Sequence, residues 1–185
     1  MNLKRSFDVI VSILVTGCIL SWLLPLLALL IKLDSRGPVF FVQRRVGRNG
    51  VLFACYKLRT MVINDVADER PAAGNDGRIT RVGRWLRQTH LDELPQFFNV
   101  LVGQMSLVGP RPPIAAEVEQ YELAHLKRLD VLPGMTGLWQ VEARQDPSFD
   151  SYISLDTAYV ENWNLMLDLR ILARTIGVVV GGTGS

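Results

Sequence analysis

A chain of 185 residues is long enough to bury one real core and too short for two full-sized domains. Hydrophobic residues make up 49%, which excludes a disordered chain, and 20 Lys plus Arg against 18 Asp plus Glu leave a net charge of only +2, which argues against a nucleic-acid coat or tail. The charge is unevenly spread: residues 1–31 carry +1, residues 32–111 carry +6 and residues 112–185 carry −5. Sixteen of the 20 basic residues are Arg, whose planar fork suits carboxylates and phosphates. Cys18 and Cys55 form no CxxC or Cys/His cluster, so neither a disulfide framework nor structural zinc is expected.

The first element sets the class. Residues 9–31 carry no charge over 23 positions, a length that as a helix crosses a hydrocarbon layer of roughly 30 Å. The run is too long for a signal-peptide core, no small-x-small cleavage site accompanies it, and as a core helix it would need a larger protein to cover it. Lys4 and Arg5 precede it, and Lys32, Arg36, Arg44, Arg45 and Arg48 follow it. Basic residues favour the cytoplasmic side, so both ends ask for the same side. Pro25 removes a backbone donor inside the run, and the Ser21 hydroxyl is a candidate partner for the freed groups. Two arrangements fit: a re-entrant hairpin broken near Ser21 and Pro25, and a tilted span with a proline kink.

Residues 38–61 read as a β-hairpin, PVFFVQRRV and VLFACYKLRTM joined by Arg48-Asn49-Gly50, because Asn-Gly tolerates the positive φ of a tight turn. Residues 64–78, rich in Gly, Asp and Asn, read as an exposed loop. A short basic helix is expected from Thr80 to Gln88, with Arg81, Arg84 and Arg87 at a spacing of three. The next runs from Asp92 to Val102, with Asp92 near its cap so that Pro95 falls in the first turn. Ile114–Leu129 is amphipathic, with Ile114, Val118, Tyr121, His125 and Leu129 at helical spacing, and 151–164 forms a further helix. Leu165, Leu169, Leu172, Ile176 and Val179 make an apolar stripe, which is core in most proteins and can lie in the interface plane of a membrane-anchored one.

Reactive groups are densest in RQTHLDELPQ, residues 87–96. Asp92 and Glu93 are adjacent carboxylates at an expected helix start, where the dipole favours their ionised form. Arg81, Arg84 and Arg87 lie on one side and Arg111 on the other. Paired carboxylates among arginines suit magnesium-assisted phosphoryl chemistry, a carboxylate holding the cation or attacking phosphorus and Arg neutralising phosphoryl charge. Acidic helix caps and solvated Arg rows explain the same pattern without chemistry. No P-loop, GxGxxG, HExxH or GxSxG run occurs. Residues 80–101 also have the outline of a helix-turn-helix with a basic face, but the acidic C-terminal third would repel DNA, and no nucleic-acid partner is expected.

Taken together, Lys4-Arg5-Ser6-Phe7-Asp8, GPVFFVQRRVGRNG (37–50), Tyr56-Lys57-Leu58-Arg59-Thr60-Met61, LDELPQFFNVLVGQMSLVGPRP (91–112), PGMTGLWQV (133–141) and YVENWNLMLDLRIL (159–172) resemble the bacterial sugar transferases, or monotopic phosphoglycosyl transferases, over nearly the whole chain. The resemblance implies transfer of a sugar 1-phosphate from a UDP-sugar to undecaprenyl phosphate, releasing UMP, as the first membrane step of exopolysaccharide, O-antigen or capsule assembly. It implies Asp92 as nucleophile, Glu93 and Mg2+ beside it, and phosphate binding by Arg87, Arg111, Lys57 and Arg59. Arg144 and Gln140 are implied for the nucleotide, although the family's usual Gly before this Arg is replaced by Glu142-Ala143. The family's adjacent Ser-Pro break reads Ser21-Trp22 here, with Pro25 one turn later. GLWQV is similar to the hexose-1-phosphate type, such as glucose or galactose transferases.

The implied fold is α+β and mostly helical: a re-entrant membrane anchor over 1–36, continuous with a compact cytoplasmic catalytic domain over 37–185 that carries the hairpin and amphipathic interfacial helices. It would sit on the cytoplasmic face of the bacterial inner membrane among phospholipids. A homodimer is carried as an expectation with no residue assigned to it.

Overall fold

The computed structural model describes residues 3–63, 76–143 and 148–180, the side chains of residues 179 and 180 apart. One helical run covers Leu3–Asp34, 32 residues of mean hydropathy 2.4. It consists of α1 (Leu3–Val15), a π-helical turn at Thr16–Leu20 and α2 (Ser21–Asp34). The departure from α-helical hydrogen bonding therefore falls just ahead of Ser21, and α2 runs on through Pro25. A π-turn gives the chain an extra residue where a helix deviates. Two side chains satisfy carbonyls of this turn: Ser21 Oγ donates to the Gly17 carbonyl at 2.7 Å and Trp22 Nε1 to that of Cys18 at 2.9 Å.

Charges at both ends of the run are used for docking. Lys4 Nζ donates to the Val108 carbonyl at 3.0 Å and to Asp168 at 2.5 Å, and Arg5 donates to the Val100 and Leu101 carbonyls at 2.7 and 3.1 Å. Asp8 is buried and accepts from Ser106 Oγ and the Leu107 N–H. At the other end Asp34 accepts the Val82 N–H at 2.9 Å. Between these anchor points the helix exposes Ile10, Ile13, Leu14, Ile19, Trp22, Leu26 and Leu29.

The expected hairpin forms as β1 (Phe40–Val46) and β2 (Leu52–Leu58), antiparallel, with Phe41 opposite Lys57 and Arg45 opposite Phe53. Asn49 takes φ 58° and Gly50 φ 77°, the conformation that made Asn-Gly readable as a turn. Thr80 caps α3 (Arg81–Gln88), its Oγ1 accepting the Gly83 N–H at 2.9 Å. A Cβ on Gly83 would stand 2.0 Å from the Thr60 carbonyl oxygen, so α3 meets the end of the hairpin at a distance only glycine permits. After α4 (Gln96–Leu101), a short parallel pair not foreseen from sequence joins β3 (Ser106–Val108) to β4 (Gly134–Thr136). Phe53, Cys55, Val100, Met105, Leu107, Val108, Tyr159 and Ile171 form the main core, and Leu27, Ile31, Leu58 and Leu86 form a second beneath α2.

Three expected elements differ. Asp92–Val102 is not one helix: a 3-10 turn spans Leu91–Glu93, and α4 starts at Gln96 with Pro95 as its cap. Ile114–Leu129 divides into α5 (Ala115–Val118) and a 3-10 stretch at Leu123–Leu129. Each piece has its own cap, Glu117 accepting the Ile114 N–H and His125 Nδ1 that of Glu122, and such local bonds compete with a continuous helix. A further turn, α6 (Leu138–Glu142), precedes α7 (Phe149–Glu161). In α8 (Leu165–Val180) the apolar stripe is divided: Leu172 packs on the main core, but Leu169 and Ile176 are 41% and 65% exposed, whereas Asp168 and Ile171 face inward at 2% and 1%.

Candidate active site

Three segments converge on the carboxylate pair. α3 ends at Thr89, and His90 then turns the chain through φ 57°, a left-handed conformation that costs a non-glycine residue of order 1 kcal/mol. This reversal sends Asp92 inward to 9% exposure, while Glu93 points to the hairpin. Asn99, fully buried on α4, binds the free edge of β2, accepting the Tyr56 N–H at 3.1 Å and donating to the Ala54 carbonyl at 2.6 Å. That clamp places Lys57, the next residue, where its Nζ reaches Glu93 Oε1 at 2.7 Å.

The electrostatics separate the two acids. Burial, then the neighbouring Glu93 charge, pushes Asp92 up to about 6, against the pull of Lys57 and Arg87. Burial also opposes the Glu93 charge, but Lys57, with help from His90 and Arg111, holds it below its ordinary value. The helix-start argument for Asp92 is thus corrected: α4 begins four residues later, and burial outweighs any dipole. Asp92 is thus a carboxylate with less water around it than a surface one, its charge opposed by burial and supported by Lys57 and Arg87.

Arg87 donates through Nε to Thr60 Oγ1 at 2.8 Å, and its charge reaches Asp92. Arg111 stands in the turn after β3 and pairs with Glu117 at 3.3 Å. That turn is tightly built: the Gly109 N–H donates to the Thr136 carbonyl and the Gly134 N–H to that of Pro110, at 2.9 and 2.8 Å. A Cβ on Gly134 would lie 2.1 Å from the Gly109 nitrogen, so the GPRP and PGMTG segments lie backbone to backbone. On its other flank Arg45 Nη1 donates to the Pro112 carbonyl at 2.8 Å. Sequence reasoning gave Arg45 no site role, although a charge on the inward face of β1 was the available signal.

The remaining expected residues are placed elsewhere. Arg59 is 6% exposed, its Nη1 and Nη2 donating to the Arg36 and Ser35 carbonyls beyond α2, while its Nε is buried without a partner among the described residues. Gln140 lies on α6 behind the Arg111 turn, its Nε2 on the Met135 carbonyl at 3.2 Å and its Oε1 buried without a partner among the described residues. Arg144 lies outside the described residues. Among the described residues no three metal-binding His, Cys, Asp or Glu side chains cluster. Two adjacent carboxylates nonetheless fit Mg2+, which binds through one or two carboxylates and takes further ligands from water and substrate phosphates.

The model of the bacterial sugar transferase family matches residues 1–182. The chain belongs to that family. Within the family, the undecaprenyl-phosphate galactose phosphotransferase of Salmonella typhimurium is 44% identical over 199 residues, 99% of this chain and 41% of that protein. Exopolysaccharide production protein ExoY of Sinorhizobium fredii is 42% identical over 198 residues, 98% of this chain and 87% of its own length. UDP-glucose:undecaprenyl-phosphate glucose-1-phosphate transferase of Klebsiella pneumoniae is 41% identical over 185 residues, covering 95% and 40%. The chain therefore spans about two fifths of the Salmonella and Klebsiella family members and most of the Sinorhizobium one.

Proposed function

We propose that this chain transfers a hexose 1-phosphate from a UDP-sugar to undecaprenyl phosphate, releasing UMP, through a covalent phosphosugar on Asp92. The observation that carries the reading is Asp92 itself, a buried carboxylate beside a Lys57–Glu93 pair and within reach of the charge of Arg87. A poorly solvated carboxylate is a better nucleophile than one in water. An Asp92 oxygen attacks the sugar-bearing phosphorus, the bond to the UMP oxygen breaks, and UMP leaves with the electron pair. The lipid phosphate oxygen then attacks the same phosphorus and the Asp92 carboxylate is released unchanged. Every nucleophile and leaving group is an oxyanion, so neither step requires a proton. Two anionic substrates use one cationic cradle in turn, Arg87 and Arg111 holding phosphate oxygens through their forks. Mg2+ held by Asp92 and Glu93 would neutralise phosphoryl charge when bound.

The printed names of the relatives, galactose and glucose transferases acting on undecaprenyl phosphate, support a hexose donor. Membranes containing the chain, supplied with undecaprenyl phosphate and a panel of UDP-sugars, should release UMP and form lipid-linked sugar with UDP-galactose or UDP-glucose. Failure of every UDP-sugar to yield lipid-linked product would contradict the assignment.

The long apolar helix is compatible with membrane association, and we read it as re-entrant from the cytoplasmic face. Straight, it would be about 48 Å long, yet Lys4 and Asp34 at its two ends both hydrogen-bond the same catalytic body. Leu3 and Leu33, both exposed, report this directly. In a Cys18→Ser background, Leu3→Cys and Leu33→Cys should each react with an impermeant maleimide from the cytoplasmic side only. Labelling from opposite sides would show a span.

A further inference from the structure

Outside the carboxylate pair, the most enclosed charge in the described residues is Arg128, whose side chain is 0% exposed against an Asp156 side chain at 1%. Its Nη2 bonds Asp156 Oδ2 and donates to the Arg111 carbonyl at 2.9 Å. Its Nη1 reaches the Tyr121 and Tyr152 hydroxyls, which are 3.0 Å from each other. The guanidinium carbon also sits 4.0 Å from the Tyr152 ring centroid. The Arg111 carbonyl is thus held by the same guanidinium that the Asp156 carboxylate clamps.

A buried ion pair loses so much hydration that apolar side chains of similar volume usually serve stability as well or better. What apolar side chains lack is direction. Here the directed bonds end on the backbone of a residue whose own side chain faces Glu117 and the electrostatic field of Glu93. We propose that Arg128, clamped by Asp156, is a positioning residue that fixes the Arg111 backbone so that the Arg111 guanidinium meets the donor phosphate; this rests on the phosphate role of Arg111 proposed above. The glycine contacts set how closely the GPRP turn lies on its neighbour, and the ion pair fixes the orientation of its arginine. α7, distant in sequence from the carboxylates, thereby gains a direct hold on the phosphate site.

The test uses the full chain in vesicles, with the UDP-hexose that the parent turns over. The double variant Arg128→Met/Asp156→Val removes both charges at similar volume and should unfold within a few degrees of the parent. Its KM for the UDP-hexose should rise roughly 10- to 100-fold, as a misplaced binding group costs, and KM for the lipid phosphate should rise with it, because both substrates use Arg111 in turn. In an Arg111→Ala background the double variant should add little, because it acts through Arg111. A fall in kcat at constant KM, tracking the folded fraction, would show a purely structural pair and overturn the inference, as would a full additive loss in the Arg111→Ala background. Should the double variant fold poorly, Asp156→Asn keeps a hydrogen-bond acceptor for Arg128 and must show the same split between KM and kcat. If Arg111→Ala alone leaves KM unchanged, it is the phosphate role of Arg111 that fails.

Discussion

Asp92→Asn should abolish turnover and stabilise the protein at the same time. The amide keeps the shape of the carboxylate but has no oxyanion with which to attack phosphorus, and removal of a covalent nucleophile costs at least about 1,000-fold in kcat. The stability effect follows from the proton. Asp92 binds its proton more tightly when folded, at about 6, than a free carboxyl does at 3.8, so its contribution to stability is present in acid and lost as pH rises through 6. At pH 7 the buried charge therefore costs up to about 3 kcal/mol, which the neutral amide avoids. Thermal unfolding should show Asp92→Asn more stable than the parent at pH 7, with the difference gone below pH 4. The parent's turnover should fall toward acid pH as Asp92 takes up its proton, because the nucleophile must be ionised. An Asp92→Asn protein that is inactive but less stable at pH 7 would mean that this carboxylate is not held against its burial.

Lys57→Met should move that acid limb upward. Lys57 bonds Glu93 at 2.7 Å and also lowers the proton affinity of Asp92, so without it the two carboxylates face each other with one partner fewer. The pair would retain a proton near neutrality, where the nucleophile must be ionised. Turnover at pH 7 should fall roughly 10- to 100-fold, most of it recovering by pH 8–9, with Lys57→Arg close to the parent. An unshifted pH profile would show that Lys57 acts on substrate alone.

The parts legible in the sequence were those governed by near neighbours. The uncharged run from residue 9 to 31, the Asn49-Gly50 turn and the short basic helix after Thr80 each follow from local chemistry, and each is present. The carboxylate pair was visible as a cluster in one decapeptide and through the motifs of its family. The surroundings of that pair were not visible, because they come from far along the chain. Lys57 lies 36 residues from Glu93, and Arg128 lies 28 from Asp156. Arg59 shows the converse: a motif arginine is drawn to the carbonyls beyond α2, a demand that no local pattern announces. The Asp92–Val102 helix failed because a 3-10 turn ending at Glu93 and a fresh start of α4 behind Pro95 divide a segment whose composition reads as continuous. The core reading of the α8 stripe does not hold along its length because Asp168, an inward residue, is buried to receive Lys4, Tyr159 and Trp163, which hydrophobic periodicity cannot register.

The central claim is that Asp92 carries the sugar phosphate between donor and lipid. The most direct measurement incubates the chain with Mg2+ and a UDP-hexose labelled in the sugar, without undecaprenyl phosphate, then quenches and separates protein from nucleotide. The account predicts label on the protein, UMP released in at most stoichiometric amount, exchange of added labelled UMP into UDP-hexose, and none of these with Asp92→Asn. UMP release that strictly requires the lipid phosphate, with no labelled protein and no exchange, would contradict it and establish direct transfer in a ternary complex.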